Sequence, residues 1–102
     1  MLDKVVDFYR ESLQGMEDPM MFLNRLWGPY TYNVIEDFEV GYAPWGKKLT
    51  EKFSSNTTEL YDKYKLIRMN GSREFYDVFS NKIMYPVHTG KGKPVGFVGR
   101  RI

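Results

Sequence analysis

KIMYPVHTGKGKPVGFVGRR, residues 82–101, is the stretch whose reading decides the fold. Lys82 to Val87 carries the β-branched and aromatic side chains that suit a pleated strand. Pro86 cannot donate to a ladder, so it demands an edge, a bulge or a strand end at that point. Gly90-Lys91-Gly92-Lys93 makes a turn, and Pro94 to Val98 returns as the partner strand. Upstream, Leu66 to Met69 and Arg73 to Tyr76 form a second pair of strands about Asn70-Gly71, a strong turn signal. The last third of the chain is therefore antiparallel sheet.

The first two-thirds reads as short helices. Leu2, Val5, Val6, Tyr9 and Leu13 recur at helical spacing until Gly15 supplies a stop. Asp18-Pro19 is a start signal, with Asp able to accept from free N–H groups and Pro pre-set for the first helical turn. The segment it opens runs to Gly28-Pro29. Thr31 can cap the next helix, in which Val34, Ile35 and Phe38 share a face. Val40 to Pro44 holds two breakers in five residues and reads as an extended connection. Lys47 to Phe53 is a short helix. Asn56 and Glu59 have capping-box spacing and open another, Thr57 to Tyr64. Helices first and then an antiparallel sheet make one α+β domain over residues 1–102.

A chain of 102 residues with 42% hydrophobic and 17% aromatic content has enough apolar surface for one folded core. It contains no cysteine, which excludes a disulfide framework and thiolate metal sites. Apolar runs are too short and interrupted to span a bilayer, and the acidic N-terminus lacks a signal peptide's apolar centre. The expectation is a cytoplasmic protein. From Val78 to Ile102 there is no acid, while Lys82, Lys91, Lys93, Arg100 and Arg101 supply five positive charges. Since the overall charge is +2, the preceding 77 residues carry a net −3. A polyanion would meet one end of such a molecule rather than its average.

Little in the chain could perform catalysis. His88 is the only histidine, so no two-histidine metal site exists. Glu17-Asp18 and Glu36-Asp37 lie on or beside helices, where caps and solvated faces account for them. No acid-x-acid pair ends a strand to hold magnesium. The glycines at 90, 92, 96 and 99 match neither a P-loop nor a dinucleotide fingerprint, because no helix follows to offer its N-terminus to a phosphate. The aromatic side chains could stack on bases, but a small domain needs most of them for its core.

Three stretches resemble a known family. Val34-Ile35-Glu36-Asp37-Phe38-Glu39-Val40-Gly41-Tyr42-Ala43-Pro44 is similar to the "I-x-x-F-x-x-G-Y-A-P" segment of DnaG-type primases. Tyr76 to Val87, YDVFSNKIMYPV, resembles their "Y-D-R-F-R-x-R-I-M-F-P-I", and Gly92 to Arg100, GKPVGFVGR, resembles "G-R-V-I-G-F-G-G-R". The resemblance covers most of the chain and fades before about Pro29. Arg100 matches the arginine of "G-G-R", and Lys82 the third basic residue of "Y-D-R-F-R-x-R". Val78 and Ser80 stand where the family has its first two arginines there, and Val98 replaces a glycine. The family's "R-G-L-S" arginine falls on Gly28 without gaps, and Arg25 matches it only if a gap is allowed.

The resemblance implies the N-terminal subdomain of a primase catalytic core, which packs against a toprim domain whose carboxylates bind magnesium or manganese. Single-stranded template and primer would lie between the two. This chain would then hold no cofactor and no catalytic residue of its own. Its nucleic-acid contacts would be Arg100, Lys82, Arg101, Lys91 and Lys93, with Arg25 as a further candidate, around one basic face. A zinc-binding domain normally precedes the segment and a helicase-binding domain ends such proteins, so a replicative helicase would be met only through parts absent here. The sequence stops before the toprim part and the "P-K-Y-x-N" motif. It is read either as a piece of a bacterial or phage primase, or as a short phage module that binds a replication protein instead of nucleic acid. The length of the gene separates these two.

Overall fold

The computed structural model describes all 102 residues. Helix α1 spans Leu2–Gln14, α2 Glu17–Trp27, α3 Thr31–Phe38 and α4 Lys48–Lys52. Strands β1 Gly41–Ala43, β4 Lys82–His88 and β5 Pro94–Arg101 form a three-stranded antiparallel sheet in the order β1-β4-β5. Strands β2 Ile67–Met69 and β3 Phe75–Asp77 form a separate hairpin. The α+β expectation holds, and the Lys82 and Pro94 strands pair as the turn between them required.

The extended connection is itself a strand: Gly41, Tyr42 and Ala43 pair with Met84, Ile83 and Lys82. Because β1 is so short, β4 has a neighbour on one side only beyond Met84. Pro86 sits on that stretch, where a missing N–H leaves the β1 side of the ladder intact. Opposed residues of an antiparallel pair share a face, and neighbours in a strand alternate. Gly41, Met84, Gly99 and Phe97 therefore look one way, toward α1. Tyr42, Ile83, Tyr85, Val98 and Arg100 look the other way, toward α2 and α3.

Each face has its own core. On the α1 side, Leu2, Val5 and Tyr9 pack with Leu49, Leu60, Ile67 and Met84, and Phe97 meets Tyr9 edge-on with ring centroids 5.2 Å apart. On the other, Leu13, Leu23, Val40, Tyr42 and Ile83 are enclosed by α2 and α3. Asp77, at the end of β3, holds the start of α4. Its carboxylate accepts from Leu49 N and Thr50 N, both at 2.9 Å, and from the Thr50 hydroxyl at 2.6 Å. That satisfies donors which a five-residue helix leaves free at its N-terminus.

Several local expectations are corrected. Asp18 does not cap α2; it lies inside the first turn, behind Met16, with Pro19 still at a position whose N–H has no helical partner. Thr31 is not a cap either. As the first residue of α3 it donates its hydroxyl to Gly28 O at 2.7 Å, across a 3₁₀ turn at Gly28–Tyr30. Asn56 forms no capping box, because it lies in another 3₁₀ turn and the helix beyond widens into a π turn at Glu59–Lys63. The turn signal at Asn70-Gly71 holds, in a five-residue loop: the Asn70 side chain accepts from Ser72 N and Glu74 N, and the left-handed residue is Arg73 at φ 62°. The strand after it starts at Phe75 rather than Arg73.

Candidate nucleic-acid interface

The six basic side chains singled out from the sequence are not gathered on one face. Arg100 opposes Ile83 and Arg101 opposes Lys82, so the hairpin register sends Arg100 to the α2 side and the other two to the α1 side. The expected single basic face around Arg100 and Lys82 therefore does not form. Lys91 and Lys93 lie in the β4–β5 turn, at the opposite end of the hairpin, roughly 20 Å away along the strands. That turn is set by the Thr89 hydroxyl, which accepts from Lys91 N and Lys93 N, both at 3.3 Å.

One pairing was not foreseen. The Arg100 guanidinium lies over the ring of Phe22, 5.7 Å from its centroid, within the range of a cation–π contact. Phe22 projects from α2, and Arg25 follows it by three residues, which places both on one face of that helix. Phe22, Arg25 and Leu26 line a shallow open groove of about 330 Å³. Arg25, the match that needed a gap, thus lines a groove with the ring that Arg100 lies over. Phe22 was invisible as a site residue, since its partner stands 78 positions away and no local spacing announces the contact.

None of the six basic side chains has a carboxylate within salt-bridge range, whereas Arg10, Lys47 and Lys48 do. Arg10 is tied to Glu36 and reaches Glu39 at 3.9 Å, and Glu39 also meets His88 Nε2 at 3.0 Å. Glu39 gets there by ending α3 in the left-handed conformation, φ 52°. His88 is therefore a bridge between β4 and α3. No group of three acidic, histidine or cysteine side chains is arranged to hold a metal ion.

Arg100, without a carboxylate partner, ends the Gly-Phe-Val-Gly-Arg pattern on β5, and comparison with known proteins agrees with that pattern. The family described as the DNA primase catalytic core, N-terminal domain, matches residues 8–102. The chain belongs to this family. The DNA primase of Aquifex aeolicus (strain VF5) is 32% identical over 103 residues, covering 99% of this chain and 20% of its own length. That of Geobacillus stearothermophilus is 35% identical over 75 residues, 70% of this chain and 12% of its own. This primase-core domain thus spans a fifth or less of those two relatives.

Among solved structures, the DnaG primase catalytic domain bound to ssDNA superposes with a TM-score of 0.83 at 26% identity, over 97% of this chain and 33% of that one. The Aquifex aeolicus primase, with its zinc-binding and RNA polymerase domains, gives 0.84 at 30% identity, over 99% and 25%. The fold of this primase-core domain is that of DnaG catalytic cores. No helix is long and apolar enough to cross a membrane.

Proposed function

We propose that this domain grips the single-stranded template of a DNA primase through Arg100 and Arg25, while a separate toprim domain supplies the metal-dependent chemistry of RNA primer synthesis. The observation that carries this reading is the unneutralised Arg100 lying over the Phe22 ring, with Arg25, also unneutralised, one turn further along α2 in the groove that Phe22 lines. Guanidinium is always charged, and its planar fork binds phosphate oxygens through two N–H groups at once. Lys82, Arg101, Lys91 and Lys93 lie away from this groove and would contribute long-range attraction more than contact. On this reading magnesium or manganese would be held by the toprim carboxylates rather than by those of this chain.

A related primase was solved with ssDNA bound, which makes single-stranded DNA the natural probe. Binding of a short labelled oligothymidylate should weaken with salt, the log–log slope being about −0.7 for each phosphate neutralised. Two contacts predict a slope near −1.4. Arg25→Ala and Arg100→Ala should each remove about one contact's worth, and no strong base preference should appear, since phosphates carry no sequence information.

The competing reading, a module that docks a replication protein, draws on Val95 and Val98, which stand 54% and 55% exposed along β5. Binding indifferent to salt and to both arginine substitutions would favour it.

A further inference from the structure

We propose that Phe22 is a positioning residue for Arg100: its ring holds the guanidinium against α2 and leaves the N–H donors free to meet phosphate. This inference rests on the nucleic-acid reading above. Arg100 is exposed and without a carboxylate partner. A long side chain in that position has about 2 kcal/mol of rotamer entropy to lose on binding. Its guanidinium instead lies 5.7 Å from the centroid of the Phe22 ring. A cation–π contact occupies no hydrogen-bond donor, whereas a carboxylate would take up the N–H groups.

Phe22 is itself held in place. It is half-buried and packs against the cluster of Leu13, Leu23, Val40, Tyr42 and Ile83 beneath α2. The ring therefore offers a fixed platform on a rigid helix, and β5 delivers the cation onto it. The quadrupole of the ring attracts the cation. Arg25, one turn along the same helix, supplies a second unneutralised guanidinium on the Phe22 side of α2.

The test uses the 102-residue chain and its Phe22→Leu, Phe22→Tyr, Arg100→Ala and Phe22→Leu/Arg100→Ala variants, at a temperature where all are folded. Affinity for labelled oligothymidylate at low salt should fall about two- to fivefold in Phe22→Leu, the size of an exposed cation–π contact. Phe22→Tyr should restore it, and the salt slope should not change, because the same phosphates are neutralised. In the Arg100→Ala background, Phe22→Leu should cost nothing further. In the nuclear magnetic resonance spectrum, the Arg100 side-chain N–H signal should be displaced by the ring and return to its ordinary position in Phe22→Leu. A Phe22→Leu chain that binds like the parent, an equal loss in the Arg100→Ala background, failure of Phe22→Tyr to restore binding, or an Arg100 signal that does not move each overturns the positioning role. Absence of binding by the parent chain, or parental affinity in Arg100→Ala, overturns the nucleic-acid reading itself and takes this inference with it.

Discussion

The two faces of the three-stranded sheet carry the same strands and do different work. The α1 face is closed: a Cβ added at Gly41 would sit 2.6 Å from Tyr9 Cβ and from its backbone carbonyl carbon, and one at Gly99 would sit 2.6 Å from the Phe79 ring. The α2 face is closed over Ile83, Tyr42 and Tyr85, while Val98 is 55% exposed and Arg100 reaches only the rim at Phe22. On the closed face glycine is a packing requirement. On the open face the glycine at 96 has nothing within 4 Å. Side chains opposite each other across β4 and β5 thus divide into those that hold the domain together and those free to meet something else.

The sharpest way to break that comparison is Gly41→Ala. Its Cβ would collide with backbone, which cannot swing aside, and α1 would have to lift from β1. A loss of about 3 kcal/mol is expected in urea unfolding. Gly99→Ala should cost less, about 1–2 kcal/mol, because the Phe79 ring and the Lys82 stem can give way. Equal losses at the two sites would mean that α1 is not seated as closely as its contacts with β1 require.

Next in size is a contrast between neighbours in sequence. Arg100→Ala should weaken oligothymidylate binding roughly tenfold at low salt, the scale of one charge-assisted contact. Arg101→Ala removes the same charge one residue along but on the other face, and should weaken it less than about twofold, the scale of a screened long-range attraction. Similar losses from both, measured by anisotropy titration, would show that net charge and not the Phe22 groove governs binding.

Tyr9 sharpens the description of the closed face. Its hydroxyl is buried without a hydrogen-bond partner. Burial, and then the charge of Asp77, push its pKa well above the ordinary tyrosine value. A group whose folded pKa is raised contributes stability that is complete below its unfolded pKa, near 10, and lost as pH climbs toward the folded value. The parent chain should therefore lose stability from about pH 10 upward. Tyr9→Phe should gain about 1 kcal/mol at neutral pH by removing the orphaned hydroxyl, and should lose less on the alkaline side. Urea midpoints measured from neutral to alkaline pH decide it, and a destabilised Tyr9→Phe chain would mean that the hydroxyl has a partner in solution.

How much of this was legible in the sequence follows from the range of the interactions. The α1 repeat of Leu2, Val5, Tyr9 and Leu13 and the Lys82–Arg101 hairpin are local patterns, and they read directly. Caps failed at Asp18, Thr31 and Asn56 because several polar residues lay near each helix start and 3₁₀ or π turns moved the boundaries. The extended run at Gly41–Ala43 read as a connection, since nothing local to it says that Ile83 lies alongside. Arg100 stood out by resemblance, but its face was set by a pairing register that the sequence does not print. Phe22 was hidden altogether, because its role exists only where α2 and β5 meet.

The smallest effect belongs to Gly96→Ala, and it tests the comparison from the open side. Gly96 lies opposite Val87, next to the bulge at Val95, on the face that α2 leaves uncovered. A Cβ there meets nothing within 4 Å, and the residue is not in the left-handed region, so alanine fits without strain. Glycine has more backbone freedom to lose on folding than alanine does. The substitution should therefore stabilise the domain by about 0.5 kcal/mol, the low end for replacing glycine within a strand. Oligothymidylate affinity should stay within about twofold of the parent, because Arg100 and Phe22 lie at the other end of β5 and distant sites act independently. A destabilised Gly96→Ala chain would show that this part of the sheet is covered in solution by a second copy. A stable chain with weakened binding would extend the nucleic-acid path along β5 beyond the arginine pair, toward Lys93 and the turn.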